Sequence, residues 1–174
     1  MRKHYVVLVN KLDKLMIVVD GKDYMLEVKI LIQEYLTYLG RDLSFQNIDK
    51  ELNNPAEKYT PPVGEILVAI ENNELVGMVA YHKHSCERCE MKRLFVRPKA
   101  RGKHVGDILV KEIIAHAIKA GYREMVLDTI SPLKEAISLY KKHGFIECEA
   151  YYNNPMADVI YMRKRLLENK IGKE

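Results

Sequence analysis

The residues best suited to chemistry lie in the segment Arg101-Gly102-Lys103-His104-Val105-Gly106, which leads into a predicted amphipathic helix. The first N–H groups of a helix have no partner within the helix, and together with the helix dipole they attract an anion. Arg101 and Lys103 add positive charge, and the small residues let a phosphate approach the backbone. The spacing is neither that of the Walker loop nor that of the dinucleotide fingerprint. The segment therefore predicts either a phosphate site or a basic loop that enters a surface helix.

A wider basic stretch surrounds this segment. Every charged residue from Lys92 to Lys103 is a lysine or an arginine, whereas the whole chain has a net charge of only +4. A local excess of positive charge suits an anionic partner, such as a nucleic acid or a phosphorylated cofactor, and it can also be a solvated surface.

A second set of chemically versatile residues, His82, His84, Cys86 and Cys89, contains the ligand types that zinc prefers. The two histidines would project from one face of a strand, and the cysteines would flank a turn. No second cluster of this kind accompanies them in the sequence. We therefore interpret the spacing as chance and expect no metal, with a structural metal as the alternative.

The elements that must position these residues are both strands and helices. The apolar spacing and the turn residues predict strands over residues 15–19, 65–70, 74–83, 89–96, 124–128, 145–152 and 158–163, with a tight turn at Asn72-Asn73. They predict helices over residues 24–39, 44–52 and 102–120, and one that begins at Ser131-Pro132 and ends at His143-Gly144. A strand over residues 5–9 is expected to pair with residues 15–19. The strand–helix–strand unit over residues 89–128 predicts two parallel strands, so the fold class is α/β (α+β mixed) with a mixed sheet.

The composition limits the class of protein. With 174 residues, of which 48% are hydrophobic and 30% charged, the chain is long enough for one folded domain and too apolar to be disordered. No apolar run approaches the ~20 residues that cross a bilayer, no secretory signal pattern is present, and three cysteines are too few for a disulfide scaffold. We expect one cytoplasmic domain over residues 1–174, with residues 1–14 as an extension and residues 167–174 as a polar tail. These features argue against membrane, secreted and fibrous proteins.

Two motifs resemble those of the GNAT superfamily of N-acetyltransferases. Residues 90–98, followed by the segment 101–106, are similar to the family's acetyl-coenzyme A motif, Arg/Gln-x-x-Gly-x-Gly/Ala. Residues 136–145, with the sequence AISLYKKHGF, are similar to its helix-to-strand signature. The resemblance covers about residues 65–163, and weaker likenesses at residues 43–46, 58–62 and 151–155 point to a small bacterial-type subgroup with unassigned acceptors. It implies a GNAT-like central sheet of about six or seven strands, flanked by about four helices.

The resemblance also implies acetyl-CoA (coenzyme A) as the co-substrate. The strand before the loop would diverge from its parallel neighbour, so that its backbone groups hold the pantetheine arm, and the N–H groups from Gly102 to Asp107 would hold the pyrophosphate. The whole implied set is Leu94, Phe95, Val96, Arg101, Gly102, Lys103, His104, Val105, Gly106 and Asp107. His104 stands where the family has its first glycine, and histidine adopts a positive φ less readily than glycine.

Direct transfer of an acetyl group from a thioester to an amine needs a proton acceptor and a proton donor. The first role falls to Glu90, on a strand face that it would share with Leu94 and Val96. A useful base would need a pKa raised by burial. The resemblance assigns the second role to Tyr140, whose phenol can protonate the departing thiolate. The alternatives are an ion-paired strand glutamate and a core tyrosine with a satisfied hydroxyl.

The expected acceptor is a small-molecule amine or an amino-acid-like molecule, and neither a nucleic acid nor a membrane is an expected partner. The wall of its pocket would include Tyr151, Tyr152, Asn153, Asn154 and the loop over residues 54–62, for which aromatic packing and a tight turn are the alternative. Because GNAT-like proteins are often dimers, a homodimer is expected. Two other functions stay open: a GNAT-fold acyl-CoA-binding regulatory protein without turnover, and a nucleic-acid-binding module that uses the basic stretch.

Overall fold

The part of the chain that this computed structural model describes, residues 4–5 and 16–166, forms a mixed sheet with helices on both of its faces. The strands are β1 (His4–Tyr5), β2 (Met16–Asp20), β3 (Gly64–Glu71), β4 (Glu74–Lys83), β5 (Arg88–Val96), β6 (Glu124–Ile130), β7 (Ile146–Glu147) and β8 (Val159–Arg165). The helices are α1 (Met25–Leu39), α2 (Ile48–Asn53), α3 (Ala56–Tyr59), α4 (Val105–Lys119) and α5 (Lys134–Lys142). The predicted α/β class is confirmed.

The order of the strands within the sheet is β1-β2-β3-β4-β5-β6-β8-β7. Strands β5 and β6 are parallel, and every other neighbouring pair is antiparallel. Helix α4 makes the crossover between the parallel strands, as the sequence predicts. The crossover places the start of α4 close to the carboxyl end of β5.

Two apolar cores lie on opposite faces of the sheet. On one face, Leu109 and Ile113 of α4 are fully buried against the sheet, and α5 packs beside them. On the other face, Leu31 and Ile32 of α1 are fully buried. Because both faces are covered, β4 is buried along most of its length and does not alternate between apolar and polar residues.

Strand β5 contains one residue more than the stretch of β4 with which it pairs. Ala80 pairs with Lys92, but Met78 pairs with Phe95, so the register shifts by one residue between the two pairs. At the shift, Arg93 adopts a φ of +57°. This combination is a β-bulge, in which the extra residue disrupts the ladder and bends the strand.

The bulge reverses which residues of β5 face each core. Cys89 and Met91 pack in the α4-side core, and so do Leu94 and Val96 beyond the bulge. Since side chains alternate along a regular strand, Glu90 lies on the opposite, α1-side face. The prediction that Glu90 shares a face with Leu94 and Val96 is therefore wrong, because the extra residue changes the alternation between them.

Strands β5 and β6 pair over only a short distance. Their register runs from Arg88 opposite Glu124 to Glu90 opposite Val126, and no later pair joins the two strands within the described residues. Beyond this point β6 stays paired with β8 on its other edge. The two parallel strands therefore diverge toward their carboxyl ends and leave backbone groups without strand partners.

Residues with positive φ shift two of the predicted helix boundaries. Helix α4 begins at Val105 and not at residue 102, because Gly102 and His104 have φ values of +75° and +61°. The helix predicted over residues 44–52 is divided at Asn47, where φ is +55°. Helix α3 is an addition, since its residues fall in a loop of the sequence-based interpretation.

Two predicted boundaries near the end of the sheet are wrong. Ser131 does not cap α5, which begins at Lys134, because Ser131 and Pro132 lie in a turn closed by the bond from Leu133 N–H to the Ile130 carbonyl oxygen at 3.0 Å, and Leu133 takes the N-cap position. The strand predicted over residues 145–152 is reduced to the two residues of β7. The end of α5 is where it was expected, with Gly144 at a φ of +85°.

The ends of the chain lie mostly outside the described residues. Where the structure describes them, His4 pairs with Val19 and Tyr5 with Val18, which confirms that part of the predicted hairpin. The other residues of the expected extension over residues 1–14, and the expected tail over residues 167–174, lie outside the described part of the chain. Among the described helices, none has the length and apolar character that crossing a membrane requires.

Gly64, at the start of β3, is in close contact with the end of α3. A Cβ atom there would lie 2.2 Å from the Lys58 carbonyl oxygen and 2.6 Å from the Tyr81 carbonyl oxygen. Because both are backbone atoms, we expect Gly64→Ala to lower the free energy of unfolding by about 3 kcal/mol or more, measured by denaturant titration. Gly40→Ala is the control, because its left-handed φ of +61° is strained but its surroundings are open. A loss no larger than that of the control would contradict the prediction.

Candidate active site

A cavity of about 750 Å³ opens where β5 and β6 diverge. Its wall is formed by the second half of β5, the end of β6, the first turn of α4, helix α5 and the tyrosines of α1. Of the predicted cofactor residues, those that line it are Leu94, Phe95, Val96, Arg101, Gly102, His104, Val105, Gly106 and Asp107. The structure therefore brings together nearly the whole predicted set.

The loop before α4 presents a row of unengaged amides to this cavity. The first backbone hydrogen bond of the helix is donated by Ile108 N–H to His104 O at 3.1 Å, and no side chain caps the helix. No backbone hydrogen bond within the described residues uses the N–H groups from Gly102 to Asp107. Such a row at a helix amino terminus is a binding site for a phosphate or a diphosphate.

The two basic residues of the loop differ in their surroundings. Arg101 lines the cavity, where its guanidinium lies 4.4 Å from the centre of the Tyr38 ring and its Nε donates to the Val96 carbonyl oxygen at 3.1 Å. Lys103 lies outside the cavity wall, and its Nζ is 2.9 Å from Glu71. The loop therefore offers a bound anion its own backbone amides and the charge of Arg101. The predicted contribution of Lys103 is not supported by its position.

Asp107 places a carboxylate in the first turn of α4, beside the amides. It accepts hydrogen bonds from Lys142 Nζ at 2.7 Å and His143 Nε2 at 2.9 Å. The bond from Lys142, and then the bond from His143, hold the pKa of Asp107 below its usual range despite partial burial. The two groups from the end of α5 thus offset a negative charge that would otherwise repel a phosphate.

Tyr140 points into the same cavity from α5. The side chain is buried and packs edge-on against Phe145, with ring centres 6.0 Å apart. Burial, with smaller contributions from Tyr35 and Asp128, raises the pKa of the phenol. Its hydroxyl makes no hydrogen bond to any residue that the structure describes, unlike the satisfied hydroxyl of a structural core tyrosine. A neutral, unengaged phenol in the cavity is a potential proton donor.

Glu90 is buried and fully hydrogen-bonded. Its carboxylate lies 2.7 Å from His82 Nε2, 2.9 Å from Lys92 Nζ and 2.8 Å from the Tyr151 hydroxyl. Burial alone would raise its pKa, but the hydrogen bond with His82 and the charge of Lys92 outweigh burial and hold the pKa well below its usual range. Glu90 therefore lacks the raised pKa that a useful base would need, and these partners could not be seen in the sequence.

Sequence reasoning missed a buried group of polar residues beside Glu90, on the α1-side face. Lys92 lies between Glu90 and Asp128, with its Nζ 3.4 Å from Asp128 Oδ1, and all three side chains are less than one-tenth exposed. Asp128 also accepts hydrogen bonds from the Tyr152 hydroxyl at 2.5 Å and from Asn154 Nδ2 at 2.8 Å. Asp128 and Lys92 line the cavity. Their only signal in the sequence is two charged residues inside apolar strands.

A second buried ion pair joins the bulge to α2. Arg93 donates to Glu51 through Nε at 2.6 Å and Nη2 at 2.9 Å, and its Nη1 donates to Gln46 at 3.2 Å. Glu51 also accepts hydrogen bonds from Tyr59 at 2.9 Å and Lys58 at 3.0 Å. Burial opposes ionisation of Glu51, but the bonds and charges of Arg93 and Lys58 outweigh it and lower the pKa of Glu51 to about 2.

The predicted acceptor wall lies on this same side of the sheet. Tyr151, Tyr152 and Tyr161 form a ring cluster with centres 5.3–5.8 Å apart, and Asn154 is buried beneath it. The cluster is hydrogen-bonded to the carboxylates Glu90 and Asp128. The loop over residues 54–62 lines a separate cavity and is described below. The structure thus places the expected wall next to the charged groups, and its role in binding an acceptor stays a prediction.

The four residues with zinc-ligand chemistry are not gathered at one point. His82 contacts Glu90, the His84 ring packs edge-on against Tyr151, Cys86 is exposed and Cys89 is buried. Burial raises the pKa of the Cys89 thiol to about 12. Within residues 4–5 and 16–166, no cluster of three or more histidine, cysteine or acidic side chains has a geometry for holding a metal ion.

Comparison with known proteins decides the family. The model of the Acetyltransferase (GNAT) family matches residues 29–145, which include the diverging strands, the amide-lined loop and Tyr140. The chain belongs to the GNAT acetyltransferase family. The resemblance seen in the sequence is therefore confirmed.

Individual GNAT proteins agree with this assignment. The chain is 52% identical to an uncharacterized N-acetyltransferase of Schizosaccharomyces pombe, over 79% of this chain and 85% of the relative. Its fold is similar to that of an acetyltransferase from Streptococcus agalactiae, with a TM-score of 0.71 and 21% identity over 86% of this chain and 98% of the other. It is also similar to a GNAT family acetyltransferase from Elizabethkingia anophelis that has acetyl-CoA bound, with a TM-score of 0.55 and 23% identity over 69% and 82% of the two chains.

Within this GNAT domain, His104 stands at the position where the family motif has a glycine. It adopts the left-handed conformation, with a φ of +61°. An imidazole tolerates this region better than a β-branched side chain does. The conformation at His104 is therefore held at the cost of some strain.

Replacement of His104 tests whether this position holds a left-handed conformation. We expect His104→Val to lower the free energy of unfolding by about 1–2 kcal/mol, because a β-branched residue is poorly tolerated at positive φ. Calorimetry should show about tenfold weaker acetyl-CoA binding, a change of ~1.4 kcal/mol. His104→Gly is the matched control and should lose neither stability nor affinity. A valine variant as stable as the unmodified protein would contradict the assignment of a left-handed residue here.

Proposed function

We propose that the protein is an acetyl-CoA-dependent N-acetyltransferase that transfers the acetyl group directly to the amine of a small-molecule or amino-acid-like acceptor, in the cytoplasm. The observation that carries the proposal is the cavity between the diverging β5 and β6, whose wall contains both the unengaged amides of the α4 loop and the buried carboxylate of Asp128. The cysteines are unpaired, which suits a reducing compartment.

The residues of the cavity fit acetyl-CoA. The amides from Gly102 to Asp107, with Arg101, suit the pyrophosphate. The backbone of Leu94 to Val96 faces the gap left by β6 and suits the amide groups of the pantetheine arm. When bound, acetyl-CoA supplies the activated acetyl group as a thioester. The Elizabethkingia anophelis structure supports this choice of co-substrate, since that protein of similar fold has acetyl-CoA bound.

Tyr140 is the proposed proton donor. As the amine nitrogen bonds to the acetyl carbon and the carbon–sulfur bond breaks, the sulfur gains negative charge. The Tyr140 hydroxyl, with no described protein partner, donates its proton to that sulfur. The phenolate regains a proton from solvent, which takes up the proton that the acylated nitrogen releases.

Glu90 and Asp128 are the residues proposed to act on the acceptor amine. Their carboxylates attract a positively charged amine, which releases to solvent the proton that it must lose before attack. Because the pKa of Glu90 is held low, it remains ionised throughout the neutral range and acts by charge, in contrast to a base with a raised pKa. This is a revision of the role expected for Glu90 from its sequence position.

The basic stretch favours this function over nucleic-acid binding. Lys92 and Arg93 are buried in ion pairs. On the surface, Arg97 pairs with Glu34 and Glu74, and Lys103 pairs with Glu71. A stretch whose charges are buried or neutralised provides few free cations for a phosphate backbone.

The first test combines acetyl-CoA binding by calorimetry with release of free thiol across a panel of amines. Binding and acceptor-dependent thiol release are expected, whereas binding without turnover would indicate a regulatory protein and absence of binding would remove both functions.

Tyr140→Phe should lower kcat by roughly 10²-fold and leave the Kd for acetyl-CoA unchanged. Tyr122→Phe is the matched control, because Tyr122 is equally buried but lies outside the cavity. Full kcat in the Tyr140 variant would exclude it as the donor.

The pH dependence tests the role of Glu90. A carboxylate with a lowered pKa is ionised from about pH 6 to pH 10, so the rise of kcat/KM in that range should follow deprotonation of the acceptor amine. We expect Glu90→Gln to lower kcat/KM by about tenfold at every pH, with no shift of the midpoint. A midpoint displaced by about one unit or more would show that Glu90 itself titrates there, as a base with a raised pKa does.

A further inference from the structure

A second cavity, of about 490 Å³, lies beside the first on the α1-side face of the sheet. It is lined by α2, α3, Val63 just before β3 and the end of β4, so the loop over residues 54–62 forms part of its wall. Gln46 lines both cavities, and His82, which contacts Glu90, lines the second. The two cavities therefore meet at Gln46, Asp128 lies in the wall of the first, and Glu90 lies behind His82 of the second.

One end of the second cavity has an excess of positive charge. Glu51 is the shared partner of two cations, Arg93 at 2.6 Å and Lys58 at 3.0 Å. Arg93 is buried, whereas the Lys58 side chain is 27% exposed and lines the cavity. Burial lowers the pKa of Lys58, and Arg93 and Lys92 lower it further against the opposing effect of Glu51. An anion next to Lys58 would relieve this unfavourable surplus.

The end toward the acetyl site has the opposite excess. Two carboxylates, Glu90 and Asp128, share the single ammonium of Lys92. Together the side chains of Glu90, Asp128 and Lys92 carry a net charge of −1. Their partners Tyr151, Tyr152 and Asn154 are uncharged. A cationic amine is therefore favoured at this end.

A short chain of hydrogen bonds connects the two groups. Arg93 donates to Gln46 at 3.2 Å, Gln46 donates to the Tyr152 hydroxyl at 3.4 Å, and Tyr152 donates to Asp128 at 2.5 Å. The positive and negative groups are thus parts of one continuous polar wall. A ligand that lies along this wall meets carboxylates at one end and a partly exposed ammonium at the other.

We infer that the acceptor is a zwitterionic amino acid, whose ammonium group meets Asp128, with Glu90 adding negative charge behind it, and whose carboxylate is bound by Lys58 in the second cavity. This inference rests on the proposed function and specifies its acceptor. Opposite charges at the two ends select a molecule with one group of each sign, and they discriminate against polyamines and against amines without an anionic group.

Lys58 is distinguished from the other lysines of this cavity by its surroundings. Lys50 is 71% exposed and forms an ion pair with Glu57, and Lys83, the other lysine of the wall, is also exposed, so solvent weakens the attraction of both for a ligand. Lys58 is more enclosed, and its carboxylate partner is already held by Arg93. Lys58 is therefore the group that recognises the carboxylate.

The test measures acceptor binding by calorimetry to the protein saturated with coenzyme A, where no acetyl transfer occurs. The probes are amino acids with increasing separation of the charges (the α-amino acids, β-alanine, 4-aminobutyrate and 6-aminohexanoate), each paired with its carboxamide, and the polyamine spermidine. At least one amino acid should bind about tenfold or more tightly than its carboxamide. Equal or weaker binding of every acid, or tighter binding of spermidine, would overturn the inference.

Variants identify the residue responsible. Lys58→Gln should weaken binding of the preferred acid by about tenfold, with no change for its carboxamide, and Lys58→Arg should restore most of the loss. Lys50→Gln is the matched control and should change neither. An equal loss for acid and carboxamide in the Lys58→Gln variant would show a structural effect and overturn the assignment.

Thiol release separates this inference from the proposed function. With the preferred acid, Lys58→Gln should raise KM about tenfold and leave kcat and the Kd for acetyl-CoA nearly unchanged. Selective binding of the acid without thiol release would contradict the proposed transfer reaction and still support the zwitterion site. Turnover that favours carboxamides or polyamines would support the transferase and overturn the zwitterion site.

Discussion

The extra residue in β5 is the constraint on which the site depends. Arg93 holds a positive φ, which is unfavourable for a residue with a side chain, and its guanidinium is fixed by Glu51 and by the Tyr35 ring at 5.7 Å. The bulge bends β5 near the point where pairing with β6 ends, and it turns Leu94 and Val96 toward the α4-side core. Since a buried charge must be paired, α2 is required to lie against the bulge. The shape of the cavity between β5 and β6 and the positive charge beside the second cavity are thus both consequences of the conformation of Arg93.

Burial affects the two proposed reaction residues in opposite ways because their partners differ. Tyr140 has no described hydrogen-bond partner, so burial dominates and the neutral phenol is favoured. Glu90 is equally buried, but the hydrogen bond with His82 and the charge of Lys92 favour its ionised form. The cavity between them therefore has a proton donor on the α5 side and fixed negative charge on the α1 side, which suits an amine and a thioester that meet between the two.

The sequence predicted what depends on local pattern, and it could not predict what depends on distant partners. The apolar spacing, the turn at Asn72-Asn73 and the amide-lined loop all follow from neighbouring residues, and the structure contains them. The bulge was not predictable, because arginine has no preference for positive φ and its partner Glu51 lies 42 positions away. The same limitation explains the face assigned to Glu90. At Ser131, the capping pattern was misleading, because Ser131 and Pro132 form a turn before the helix and Leu133 occupies the N-cap position.

The ring cluster of Tyr151, Tyr152 and Tyr161 has a consequence for spectroscopy. The chain contains no tryptophan, so tyrosine is the dominant near-ultraviolet chromophore of the folded protein. Two of these phenols donate hydrogen bonds to the carboxylates that are proposed to attract the acceptor amine. A molecule that displaces either bond changes the environment of coupled rings, and this alters near-ultraviolet circular dichroism without any added label. The protein thus has a built-in optical reporter of occupancy on the acceptor side.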